Sequence, residues 1–218
     1  MIKFLIKNKL YRKKGIVKIN NLFSKYEIIN LNSALIDRLI FLNTADYELF
    51  EQSGSNKELG RFQMGSIDEY LKDDFIKYFR EKNKKFIFKL TKKNMDLSSI
   101  VFVKYSGDYG SPNLPPHFDG DNNDLIINYQ LDSNIVWDVG INKSVYSLEN
   151  NSALVFNPNT NIHWRPIVEF KKGDYVKMIF FRFKEIDSEN DYSSLSKLMQ
   201  NDPVFIDTEL YRKKVSRA

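Results

Sequence analysis

The sequence predicts a mainly β chain with helices toward its N-terminal end, the strands forming an antiparallel double sheet. Three observations predict it. From Ser98 onward short apolar runs recur with turn residues between them, at about the interval of a sandwich or barrel. Within that region Leu125, Ile127, Tyr129 and Leu131 alternate with other residues, which puts them on one face of a strand. Upstream the apolar period is helical, and each helical stretch opens with a capping signal.

Taken in order, residues 1–14 are basic and read as an arm, and Gly15–Ile19 reads as a strand. Ser24-Lys25-Tyr26-Glu27 has the capping-box form, with Ile28, Leu31, Leu35 and Leu39 following at helical spacing, so a helix is expected to about Leu42. Residues 43–65 show no clear period and include Ser53-Gly54-Ser55-Asn56; they read as a loop of the length that lids and binding elements use. Ser66-Ile67-Asp68-Glu69 is a second capping box, and Ile67, Leu71, Phe75 and Phe79 carry a helix to about Lys82. Phe86–Leu90 fits either its continuation or a short strand. Strands are then expected at Ile100–Tyr105, Leu125–Leu131, Ile135–Val139, Val145–Leu148, Ser152–Phe156 and Tyr175–Phe183. Ser106–Pro112 is a turn-rich loop. The reading is one domain overall: 1–97 as supporting part, 98–184 as core, and 185–218 as a polar tail with a short helix over Tyr192–Met199.

Composition narrows the function. With 218 residues, 42% apolar content, 17 Phe and 12 Tyr, the chain has enough apolar mass for a real core. It has no cysteine, which excludes a disulfide scaffold, a thiolate metal site and a cysteine nucleophile, and which fits a reducing compartment. No apolar run approaches a membrane span. The apolar run in Met1–Lys7 is too short for a signal-peptide core, so a soluble cytoplasmic protein is expected. Net charge is +5 with pI near 9.1, but the lysines are spread among acidic residues rather than gathered in the stripe of a nucleic-acid binder. The sequence does not specify an oligomeric state.

The chemistry concentrates in two stretches, Pro115-Pro116-His117-Phe118-Asp119 and Asn161-Ile162-His163-Trp164-Arg165, which hold the only two histidines of the chain. His-x-Asp at a strand end aims both side chains to one side, and the 46 positions to His163 leave room for another strand to return beside the first. Two imidazoles and one carboxylate on one face of a metal leave three positions open, the facial-triad arrangement of non-haem Fe(II) oxygenases. The acidic run Asp119–Asp124 lacks the spacing and closing Glu of a calcium loop.

Over Val101–Phe183 the chain resembles the prolyl-4-hydroxylase-like branch of the 2-oxoglutarate/Fe(II) dioxygenases. The residues that carry the resemblance are Tyr105-Ser106-Gly107-Asp108-Tyr109 before His117 and Asp119, then Tyr129-Gln130-Leu131-Asp132, then Asn151–Phe156 ahead of His163 and Pro166. The Gly15–Leu39 strand-helix unit is similar to the family's N-terminal support. The resemblance implies a double-stranded β-helix of jelly-roll or cupin-like type. It also implies a hydroxylase that takes Fe(II) on His117, Asp119 and His163, consumes 2-oxoglutarate, and acts on a peptide side chain, prolyl among the choices, or on a small molecule. Ascorbate is a further expected requirement.

The far carboxylate of 2-oxoglutarate needs a cation, because a buried carboxylate without one is strongly unfavourable. In the family this is an Arg or Lys about ten to fifteen residues past the distal histidine, and Lys177 lies 14 past His163. The commonest pattern has an arginine close behind the strand-opening glycine, whereas here Asp174 and Tyr175 follow Gly173. Arg165, two past His163, is the rival, since a guanidinium binds carboxylate bidentately. The resemblance further implies that Tyr129 donates its hydroxyl to the same carboxylate and that Tyr105 lines the co-substrate pocket. Two other functions remain open at this point, a silent double-sheet binding module and a metal-dependent cupin-type enzyme that uses no 2-oxoglutarate.

Overall fold

The protein is described by a computed structural model, which covers residues 11, 14–34, 60–66, 74–108, 110, 112–119 and 123–186. The expected helix beyond Ala34, most of the 43–65 loop, the Ser66–Glu69 capping box beyond Ser66, and the tail beyond Ile186 lie outside the described residues.

Ten strands and two helices are described, in the order β1 (Ile16–Ile19), α1 (Lys25–Ala34), β2 (Arg61–Ser66), α2 (Asp74–Thr91), β3 (Met95–Ser106), β4 (Leu114–His117), β5 (Leu125–Ser133), β6 (Val139–Ile141), β7 (Ser144–Tyr146), β8 (Ser152–Phe156), β9 (His163–Arg165) and β10 (Tyr175–Glu185). They form two antiparallel sheets. The larger has the order β1-β8-β5-β10-β3-β2 and the smaller β4-β9-β6-β7. None of the described helices is long and apolar enough to cross a membrane.

The local chemistry explains the elements. Ser24 and Glu27 cap α1 reciprocally: the Ser24 N–H donates to Glu27 Oε2 at 3.0 Å, and the Glu27 N–H donates to Ser24 Oγ at 3.3 Å. On α2 the buried positions Ile76, Phe79, Asn83, Ile87 and Leu90 recur every three or four residues, so Phe86–Leu90 continues this helix. Asn83 is tolerated on that stripe because its Nδ2 donates to Phe79 O at 2.8 Å. The β6–β7 hairpin turns through Asn142, whose φ of 51° is one that Asn accepts more readily than most residues.

Two expectations are corrected. Residues 61–65, read as loop, and Ser66, read as the first residue of a capping box, form β2 along the edge of β3, from Arg61 opposite Tyr105 to Ser66 opposite Ile100. Main-chain pairing with a long neighbouring strand makes this strand, and its side-chain pattern did not announce it. Ile135–Asp138 is not strand; instead the Trp137 indole N–H donates to Pro166 O at 2.8 Å, and pairing begins only at Val139.

Strands β1, β3, β5, β8 and β10 of the large sheet divide their side chains between two cores. On the outer face Leu125, Ile127, Tyr129, Ile179, Phe181 and Phe183 pack under α1 and α2. On the inner face Val101, Val103, Tyr105, Ile126, Leu154, Phe156, Val176, Met178 and Phe180 meet Trp137, Val139 and Ile141 of the small sheet's side. The registers set the inner face in rungs: Val103, Met178, Gln130 and Ser152; then Val101, Phe180, Asn128 and Leu154; then Ser99, Arg182, Ile126 and Phe156. The site lies against these rungs.

Candidate metal centre and its pocket

β4 is an edge strand, where Pro115 and Pro116 remove no needed ladder bond. Leu114 to His117 spans three steps while their partners Arg165 and His163 span two, so β4 bulges. A bulge changes the direction of the side chains after it, and here it sets His117 opposite His163 with ring centroids 4.2 Å apart. Asp119 is held by its own N–H, which donates to Pro158 O at 3.3 Å.

The three side chains converge. Asp119 Oδ1 lies 3.6 Å from His117 Nε2 and 3.2 Å from His163 Nε2, and one ligand atom from each residue falls within 4.8 Å of the others. Two donors at a right angle around an ion with bonds of about 2.1 Å lie about 3 Å apart, so the spacing fits. His117 Nδ1 is 2.7 Å from Pro115 O and His163 Nδ1 is 3.2 Å from Asn161 O. A carbonyl only accepts, so each Nδ1 carries the proton and each Nε2 turns its lone pair to the centre.

The charge states match as well. Burial pushes His117 down to about 4, so it is neutral near pH 7. Burial works against the Asp119 carboxylate, but the close approach of the two imidazoles and the positive charge of Arg182 outweigh it and hold the carboxyl well below its usual range. A neutral His117 beside an ionised Asp119 is the combination of protonation states that metal binding requires. Arg182 Nη2 is 3.8 Å from Asp119 Oδ2, the oxygen that faces away from the histidines. The sequence reading did not single out Arg182, although it alternates with the outer-facing Phe181 and Phe183 and so shares the face of Met178 and Phe180.

Arg165 shares the face of His163, two residues along β9, and is 2% exposed. Its Nη1 donates to Trp137 O at 2.5 Å and its Nη2 to Met178 Sδ at 3.4 Å. The guanidinium carbon stands 4.5 Å from the Trp137 ring centroid and 5.7 Å from that of Tyr105. Burial lowers its pKa to about 10, so it remains charged near neutral pH. Among the described residues no carboxylate is close enough to form an ion pair with it. The charge of Asp138 offsets its burial only from a distance; a buried cation without an ion-pair partner is unfavourable by roughly several kcal/mol, and an anionic ligand would relieve that penalty.

Lys177 and Tyr129 belong to the other side of the sheet. Lys177 is paired with Asp132 at 3.7 Å and lies 4.6 Å from the Tyr175 ring centroid, and on β10 it alternates with the inner-facing Val176 and Met178. Tyr129 packs edge-on against Phe23 with centroids 5.0 Å apart, its hydroxyl 3.5 Å from Asn151 Oδ1. Its ring faces the helices, so the hydroxyl implied as a carboxylate donor points away from the triad. Tyr105 sits on the inner face, edge-on to Trp137 at 4.9 Å and beside Arg165.

No family model matches the sequence, and no curated protein matches it. Solved structures do. A prolyl-4-hydroxylase from Pseudomonas putida superposes with a TM-score of 0.57 at 10% identity, covering 84% of this chain and 99% of that one. A Trichoplax adhaerens prolyl hydroxylase, solved with a hypoxia-inducible-factor peptide fragment, gives 0.60 at 13% identity over 89% of this chain and 93% of its own. The chain has the fold of the 2-oxoglutarate/Fe(II) oxygenases. The non-haem α-ketoglutarate-dependent epimerase SnoN of nogalamycin biosynthesis shares that fold, with a TM-score of 0.65 at 9% identity over 84% of this chain and 83% of its own. Within this fold His117, Asp119 and His163 form the cluster, among the described residues, that could hold a metal ion.

Proposed function

We propose that the protein is an Fe(II)- and 2-oxoglutarate-dependent dioxygenase that hydroxylates a peptide side chain, prolyl among the choices, or a small molecule, releasing succinate and CO2. Its two sheets are then the halves of a double-stranded β-helix. The observation that carries this reading is the pairing of a His-Asp-His cluster with Arg165, a buried guanidinium that forms no ion pair with any described residue, two residues from His163 on the same face.

When bound, Fe(II) with 2-oxoglutarate supplies the oxidative decarboxylation that activates dioxygen for hydroxylation. The chain's own residues do the rest. His117, His163 and Asp119 present three donors on one side of the ion, with their orientation fixed by Pro115 O, Asn161 O and Arg182. Arg165 holds the far carboxylate of the keto acid. Trp137, Tyr105 and Met178 close around its guanidinium and keep water from competing for it. Lys177, already paired with Asp132 on the opposite face, is set aside as the anchor. Both substrate classes stay within the proposal, since the fold's other members include one solved with a peptide and one named for a small-molecule pathway.

The test is succinate formation from 2-oxoglutarate with Fe(II), ascorbate and air, first without added substrate. Succinate that is lost in His117→Ala is the expected result. Absence of succinate, together with no keto-acid-dependent Fe(II) absorbance in the absence of air, would leave a binding module as the better account.

A further inference from the structure

Across β3, β10, β5 and β8 one inner-face rung reads Val101, Phe180, Asn128 and Leu154, an amide among three apolar side chains. Asn128 is 6% exposed, its Oδ1 is fully enclosed without a partner, and its amide makes no hydrogen bond to any described residue. Two residues along the same strand and face, Gln130 shows the contrast: its Nε2 donates to Ser133 Oγ at 2.9 Å and to Leu148 O at 3.0 Å. Its Nδ2 also has no partner among the described residues but is not fully enclosed, so the donor end of the amide is the one open to a ligand.

The position of Asn128 suits that donor to a ligand. The rung on one side contains Met178, which Arg165 touches through Nη2. The rung on the other side contains Arg182, which faces Asp119, and Phe156, whose ring centroid is 5.3 Å from that of His163. Asn128 therefore stands between the anchoring guanidinium and the metal ligands, along the stretch that a keto acid reaching from one to the other must cross.

We propose that Asn128 is a co-substrate-binding residue of this pocket, its Nδ2–H donating to an oxygen of the bound keto acid. The inference rests on the function proposed above. A dicarboxylate offers acceptors only, so the donating side of the amide is the one that serves it. A neutral donor suits a place with cationic groups already at either end, and a leucine of similar size would offer nothing.

The experiment uses the full chain loaded with Mn(II) in place of Fe(II), titrated with 2-oxoglutarate by calorimetry, alongside melting curves of the unliganded protein. In Asn128→Leu the Kd for 2-oxoglutarate should rise about tenfold, the loss of one hydrogen bond. Mn(II) affinity should hold within about twofold, and the unliganded melting temperature should hold or rise, because an unsatisfied buried amide has been removed. Asn128→Asp, equal in shape but repelling the ligand, should lose more than Asn128→Leu. An unchanged Kd in Asn128→Leu, or a lowered unliganded melting temperature with Mn(II) binding lost in parallel, overturns the proposal in favour of a packing role. Wild-type protein that binds Mn(II) but no 2-oxoglutarate overturns the function itself. Wild-type binding that Arg165→Met abolishes and Asn128→Leu leaves intact overturns only the role of Asn128.

Discussion

Arg182 Nη2 stands 3.8 Å from Asp119 Oδ2, so the carboxylate meets the two imidazoles with one oxygen and a cation with the other. The arrangement fixes which oxygen points at the centre and offsets the cost of burying the charge. Outer partners of this kind are typically worth about 10–100-fold in metal affinity. Arg182→Leu should therefore weaken Mn(II) or Fe(II) binding by at least about tenfold, with the far-ultraviolet circular dichroism unchanged. Arg182→Lys should recover part of the loss. Titration calorimetry of the purified variants reads this directly, and an unaltered metal affinity in Arg182→Leu would show the contact to be incidental.

The two candidate anchors separate by the face of the sheet they occupy. Arg165 lies in the inner core without a carboxylate partner, whereas Lys177 is paired with Asp132 on the outer face. Arg165→Met should raise the 2-oxoglutarate requirement by about a hundredfold or more, since a fully desolvated carboxylate would lose its charge partner. Lys177→Met should leave it within about twofold. Tyr129→Phe should behave like Lys177→Met, because its hydroxyl faces Asn151. A large effect from Lys177→Met or Tyr129→Phe would reverse this assignment.

The case of Tyr129 shows how far the sequence could be read. Its alternation with Leu125, Ile127 and Leu131 already set it among apolar neighbours, and the structure packs all four on the helix side. Period two tells which residues share a face but not which face looks at the metal, and that choice depends on the second sheet. The His-x-Asp spacing and the capping box of α1 were legible because each is a local geometric rule. β2 was not, since its strand conformation comes from pairing with β3. Nor were Arg182 and Asn128 singled out, because their roles depend on which rung of the inner face each reaches, and register is a tertiary property.

Gly140 lies opposite Trp164 in the β6–β9 pair, and a Cβ placed on it would come within 2.2 Å of the indole ring. The ring is 3% exposed and so has little room to yield. Gly140→Ala should destabilise the protein by about 1–3 kcal/mol. It should also weaken metal binding, because Trp164 sits between His163 and Arg165 on β9. In combination with Trp164→Leu the alanine should cost much less, giving a clear interaction energy in a double-mutant cycle of melting measurements. Additive losses would place the strain elsewhere.

A last prediction concerns the layer behind the site. Asp96, near the start of β3, receives hydrogen bonds from Arg80 of α2 and an ion pair from Lys84 at 3.2 Å. The bonds from Arg80, with help from Lys84 and against the opposing effect of burial, lower its carboxyl from 3.8 to about 2. Between those values the unfolded chain binds a proton that the folded one does not, so acid favours unfolding there. The contribution is fully present above about pH 4 and disappears as pH falls toward 2. With the Asp96 side chain 26% exposed and screened by solvent, its size is about 1 kcal/mol. Urea melts of wild type and Asp96→Asn should accordingly differ by about that amount at pH 6 and converge near pH 2. A difference that persists at pH 2 would mean the asparagine costs packing rather than charge.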